Sequence, residues 1–185
     1  MNFANIITVT RLLVTPIIIW LIFSHYYSFA LIFFILSGLS DALDGFIAEK
    51  FNQKTVLGSY LDPIADKTLI VSSILALAYV GSIPSWLVIL IVSRDLAILG
   101  AVIVSWLAEG GLKIEPIISS KINTFLQIVY IGLLLLNNSI SDSMNDLPIF
   151  ILPAFSILIA FSTLGSWFSY LLLWLRSMGI VNDSK

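Results

Sequence analysis

The chain has 185 residues, 59% of them hydrophobic and 11% charged, with a formal net charge of −2 and a mean hydropathy of +1.05. A soluble domain carries about 25% charged residues, so these side chains cannot cover a water-facing surface and lipid must cover it instead. There is no Cys, which excludes disulfides and thiolate metal sites. Met1 to Thr10 hold no Lys or Arg ahead of the first apolar run, so no cleavable signal peptide is expected.

A spanning helix needs roughly 20 apolar residues, and the sequence predicts six. The first covers Leu12 to Ser24, extended backwards by the short amphipathic stretch Asn5–Arg11. The second covers Ser28 to Asp44 and the third Gly58 to Val80. The fourth runs from Pro84 to Leu107, the fifth from Ser120 to Leu136 and the sixth from Pro148 to Arg176. Turn residues separate them: His25-Tyr26-Tyr27, Phe51-Asn52-Gln53, Gly81 to Pro84, Gly110-Gly111, and Asn137 to Asn145. No soluble domain, repeat or low-complexity segment interrupts this series, so residues 1–185 read as one membrane domain.

The basic residues orient it. Arg11, Lys50, Lys54, Lys67, Lys113, Lys121, Arg176 and Lys185 all fall before helix one, in alternate connections and the helix starts beside them, or after helix six. Arg94 lies within the predicted fourth span. The expected fold is therefore an all-α integral membrane protein of six transmembrane helices with both termini in the cytoplasm.

The stretch Ser40 to Lys67 reads SDALDGFIAEKFNQKTVLGSYLDPIADK and carries four Asp. Asp41 and Asp44 are three apart at the end of helix two, hence on one face. Asp62 and Asp66 are four apart at the start of helix three, again on one face. The short connection makes these helices antiparallel neighbours, so the two pairs can converge. Four carboxylates near membrane depth repel one another unless cations lie between them. Hard oxygen ligands in this number suit Mg²⁺ or Mn²⁺, and two ions could clamp a diphosphate. Gly45, Ala48 and Gly58 lie between the two Asp pairs, and such small residues allow close approach of backbone or substrate. The plainer readings are solvated loop acids for the Asp and helix packing for the glycines.

Arg94 and Asp95 form an ionisable pair within an apolar run. Two readings are open: a mutual structural pair, or a cavity-facing Arg94 that holds an acceptor phosphate. Neighbouring residues project roughly 100° apart around a helix, which argues against a direct bond between them. Lys121 is either an interfacial lysine or a second phosphate contact, and contact is favoured. His25 and the Trp and Tyr residues read as interfacial or packing groups, and Asp142 and Asp146 as solvated loop acids.

The order Asp41, Asp44, Gly45, Ala48, Gly58, Asp62, Asp66 resembles the signature of the CDP-alcohol phosphatidyltransferase family. A chance match of that pattern is on the order of one in a million. Asn5, Thr8 and Arg11 resemble the family's amino-terminal N-x-x-T-x-x-R. One position departs: Glu49 stands where the family usually has Arg, which removes a cation there.

The resemblance implies transfer of a phosphatidyl group from CDP-diacylglycerol to an acceptor hydroxyl, with release of CMP at the cytoplasmic face. It makes Asp41, Asp44 and Asp62 metal ligands. Asp66 becomes the base that takes the acceptor proton and is also counted among the metal ligands. Asn5, Thr8, Gly45, Ala48 and Gly58 are placed at the CDP-diacylglycerol site, and a homodimer is common in the family. Val92 to Asp95 and Pro116 to Thr124 look like the cardiolipin synthase branch, whose acceptor is phosphatidylglycerol. The rival is the phosphatidylglycerophosphate synthase branch, whose acceptor is glycerol 3-phosphate. Membrane lipid is an expected partner and nucleic acid is not. A cation transporter would also use intramembrane carboxylates, but an ion path needs polar residues at several depths, and the far half of these helices is nearly all apolar.

Overall fold

The computed structural model describes the backbone of residues 3–50, 56–109, 118–140 and 147–177, and the side chains of 8–40, 64–100, 118–140 and 147–172. Six α-helices make up the described structure: α1 (Phe3–Phe23), α2 (Tyr27–Lys50), α3 (Val56–Tyr79), α4 (Ser85–Glu109), α5 (Ile118–Ile140) and α6 (Ile151–Ser177). The amphipathic Asn5–Arg11 stretch is continuous with the apolar run after it, in one helix, as expected of a backward extension. The second helix continues past Asp44 to Lys50, through residues such as Ala48, Glu49 and Lys50 that favour helix. The Phe51-Asn52-Gln53 and Gly110-Gly111 turns, and Asp142, lie outside the described residues.

Two compact units emerge, Met1–Pro84 with Tyr130–Ile149 and Ser85–Val129 with Phe150–Lys185. In the first, α1 packs against both α2 and α3 around Ile18, Leu21, Ile22, Ala30, Phe34, Leu69, Ile74 and Leu77. In the second, α4 packs against α6, with Leu87, Ile91 and Ile159 buried.

Two helix ends are stopped the same way. Beyond α1, Tyr26 N–H donates to the Leu21 carbonyl at 2.9 Å and His25 N–H to Ile22 at 3.1 Å, with His25 left-handed at φ 61°. Beyond α3, Ser82 N–H donates to Leu77 at 2.9 Å and Gly81 N–H to Ala78 at 3.0 Å, with Gly81 at φ 80°. Both are Schellman motifs. Gly occupies the left-handed position in one and His in the other. The Phe23 and Tyr79 rings meet beside these ends, 5.2 Å between centroids.

The outside is apolar. Leu13, Trp20, Ile89, Leu96, Phe125 and Phe161 are each at least 60% exposed, a surface that water does not tolerate at this density. The inside is richer in hydroxyls and amides than an aqueous core, with Thr8, Thr15, Ser37, Ser73, Asn123, Gln127, Thr163 and Ser166 all buried. That inversion belongs to a membrane protein, in which helices associate through close packing and polar bonds rather than by escape from water. Among the described residues, α5 (Ile118–Ile140) and Ile151–Leu172 of α6 are long and apolar enough to cross a bilayer. The first two helices contribute shorter apolar stretches, Thr8–Phe23 and Tyr27–Ser40.

Candidate active site

Thr8, Arg11 and Thr15 recur every three to four residues along α1, and all three are buried. They therefore form a polar stripe on the packed side of the helix. Thr15 donates its hydroxyl to the Arg11 carbonyl one turn back, at 2.9 Å. Arg11 reaches across to α3 and donates from Nη1 to Oδ1 of Asp66, forming an ion pair. The two partners differ in environment: the Arg11 side chain is 2% exposed and that of Asp66 40%. A permanent cation is thus rooted in the helix packing and holds a carboxylate that still faces outward.

The register of the other acids follows from the helices that carry them. Asp41 and Asp44 stand one turn apart in α2, and Asp62 and Asp66 one turn apart in α3. Of the four carboxylates only that of Asp66 belongs to the described side chains; those of Asp41, Asp44 and Asp62 lie outside them, as do Asn5, Gly45, Ala48 and Gly58. As a donor set, four carboxylate groups on two continuous helices fit a hard divalent cation. Thr8 is described and is buried on the same stripe as Arg11.

The second unit holds its own buried cation. Arg94 is 1% exposed. Its Nη1 donates to Asp95 Oδ1 at 2.6 Å, and its Nη2 to the hydroxyls of Ser120 on α5, at 2.7 Å, and Ser166 on α6. Its guanidinium carbon lies 5.8 Å from the centre of the Tyr170 ring, a cation–π distance. The direct Arg94–Asp95 bond corrects the expectation that adjacent helical residues cannot meet. Their Cβ atoms do diverge, but the long arginine stem carries the guanidinium back around the helix to the shorter Asp side chain. Lys121 does not join this group through burial: its side chain is exposed, whereas its neighbour Ser120 turns to Arg94.

Below Ser120, the buried Thr163 hydroxyl donates to Asn123 Oδ1 at 2.9 Å. Asn123 Nδ2, both polar atoms of Gln127, Ser119 Oγ and Arg94 Nε are buried without a hydrogen-bond partner. Ser119, Asn123 and Gln127 follow one another at intervals of four, so they line one face of α5. Buried amides of this kind are costly to leave unbonded.

Sequence reasoning missed the partners rather than the charges. Arg11 was visible as a cation next to an apolar run, but its carboxylate lies 55 residues away. Ser166 and Tyr170 carried no signal that set them apart from other small or aromatic residues of membrane helices, and Ser120 stood out only as part of the stretch Pro116 to Thr124.

Residues 1–141 match the sequence model of the CDP-alcohol phosphatidyltransferase family. Among curated proteins, the chain is 33% identical to the CDP-diacylglycerol–glycerol-3-phosphate 3-phosphatidyltransferase 1, chloroplastic, of Oryza sativa subsp. japonica, over 92% of this chain and 56% of that protein. It is 32% identical to the cardiolipin synthase (CMP-forming) of Homo sapiens over 97% of this chain and 64% of the relative. With the cardiolipin synthase (CMP-forming) of Rattus norvegicus it shares 36% identity over 69% of this chain and 48% of the relative. The chain thus spans from about half to under two thirds of the length of these three relatives. With the signature, the helices that carry it and a match over most of its length in agreement, the chain belongs to the CDP-alcohol phosphatidyltransferase family.

Proposed function

We propose that this protein transfers a phosphatidyl group from CDP-diacylglycerol to a glycerol hydroxyl of phosphatidylglycerol, forming cardiolipin and releasing CMP. The acceptor oxygen forms a bond to the phosphorus that bears diacylglycerol, the bond from that phosphorus to the CMP oxygen breaks, and the acceptor proton passes to Asp66. What carries the reading is the pattern Asp41, Asp44, Gly45, Ala48, Gly58, Asp62, Asp66 on α2 and α3, inside the matched residues 1–141.

Asp41, Asp44 and Asp62, with Asp66, would hold two Mg²⁺ or Mn²⁺ ions. Bound there, such ions supply charge neutralisation for the diphosphate and the departing CMP. Asn5, Thr8, Gly45, Ala48 and Gly58 serve the donor nucleotide. Asp66 must lie within hydrogen-bond reach of the acceptor hydroxyl, and its outward-facing carboxylate suits that task. Arg94 and Lys121 hold the acceptor's phosphate. A guanidinium matches a phosphate through paired N–H donors, and serine hydroxyls are partners that such a ligand can displace.

The alternating basic residues support six spans with both termini in the cytoplasm and the acidic cluster on that side. A second acceptor has its own support, because relatives in rice and in Bacillus subtilis are named for glycerol 3-phosphate. Both acceptors present a glycerol hydroxyl and a phosphate, so one basic site suits either. The deciding experiment gives purified protein CDP-diacylglycerol with each acceptor in turn and measures CMP and lipid product. Cardiolipin from phosphatidylglycerol is the expected product; phosphatidylglycerophosphate from glycerol 3-phosphate alone would overturn the choice of acceptor.

A further inference from the structure

We infer that Arg11 is a positioning residue for Asp66: it fixes the carboxylate of the proposed base in the orientation that the transfer requires. The inference rests on the base reading of Asp66 and goes beyond it. Three observations carry it. The first is the ion pair itself, which joins α1 to α3 over 55 residues of sequence. The second is the asymmetry of exposure, 2% for the Arg11 side chain against 40% for Asp66. Of the two partners, Asp66 is the one open to the outside, and Arg11 stands behind it. The third is the cation's own mount. Thr8, Arg11 and Thr15 are buried along one stripe, and Thr15 is bonded to the Arg11 carbonyl.

An aspartate on a helix surface has several rotamers, and a base that samples them all spends little time aimed at one hydroxyl. Guanidinium geometry is planar and directional, and arginine does not give up its proton in proteins. It therefore orients a carboxylate without competing for the proton that the carboxylate receives. A lysine at the same place would supply charge but not the same directional donors.

The test is a double-mutant cycle on the full-length protein in lipid nanodiscs, with CDP-diacylglycerol binding measured separately. Arg11→Met should lower kcat about 10- to 100-fold, the range typical of groups that orient a catalytic residue from behind. Donor affinity should change less than about threefold, within what unrelated sites show. Arg11→Lys should fall between wild type and Arg11→Met, and it serves the same cycle if the Met variant does not accumulate. The combination of Arg11→Met with Asp66→Asn should be no slower than Asp66→Asn alone, the result expected when Arg11 serves the chemical step through Asp66. If the two losses multiply, or if Arg11→Met abolishes donor binding at unchanged kcat, the positioning role is wrong while the base reading stands. Wild-type turnover in Asp66→Asn would remove the base reading and this role with it.

Discussion

Arg94 donates to the carboxylate of the residue beside it, Asp95, at 2.6 Å, while two serine hydroxyls from α5 and α6 take its other terminal nitrogen. The arrangement joins three helices through one buried cation. It also leaves Nε without a hydrogen-bond partner. Breaking it should therefore affect both packing and ligand binding, and the two effects separate by substitution. Arg94→Ala should raise the acceptor KM or lower turnover by roughly 10- to 150-fold, the worth of one charge-assisted contact. Donor binding should change little. Asp95→Asn keeps the guanidinium and should leave the acceptor KM closer to wild type. Equal loss in the two variants, matched by equal loss of thermal stability, would show that the group is structural alone.

Metal dependence is checked by chelation. Activity should disappear in excess chelator and return on adding Mg²⁺ or Mn²⁺. Asp41→Asn and Asp62→Asn should weaken metal activation and CDP-diacylglycerol binding together, whereas Asp66→Asn should lower kcat more than donor affinity. Full turnover in excess chelator would remove the metal from the reading.

Topology is open to single-cysteine labelling, since the chain has no Cys of its own. A cysteine at Lys54 should react with a membrane-impermeant reagent from the cytoplasmic side and one at Asn138 from the opposite side. Both reacting from one side would refute six spans.

The left-handed turns give a stability prediction free of catalysis. A Cβ added at Gly81 meets nothing within 4 Å, so the cost of Gly81→Ala is the backbone conformation itself. It should destabilise the protein by about 1 kcal/mol. His25→Gly, at the equivalent position after α1, should stabilise it by up to about 1 kcal/mol, less the entropy that glycine brings to the unfolded chain. Thermal melts in detergent would read both; no change in Gly81→Ala would show that the turn tolerates a side chain.

Local patterns were legible in the sequence and distant partnerships were not. Turn residues marked most helix ends to within a few positions, because Gly81 and the Pro residues limit the backbone directly. The amphipathic Asn5–Arg11 stretch reads as a backward extension of the first span, and α1 is one helix, but the burial of Thr8 and Arg11 depends on what packs against them and was not legible. Arg94 and Asp95 were seen together, but periodicity describes where Cβ atoms point and not how far a long side chain bends back. The acidic residues were found by spacing alone, since spacings of three and four in a helix put them on common faces whatever packs against it.

The bond between Arg11 and Asp66 also sets an order of events during synthesis. The first helix emerges carrying a cation whose partner is 55 residues downstream. At ~5–20 residues per second, that carboxylate follows about 3–11 s later. An unpaired arginine is costly in a spanning helix and is relieved toward the end of the span, where Arg11 stands, near the start of the apolar stretch Thr8–Phe23. Until α3 is made, the Asp66 carboxylate is not there to meet Arg11. The packing of α1 on α3 is therefore completed only after α3 is made, and the contact proposed to orient the base also ties the first helix to the third.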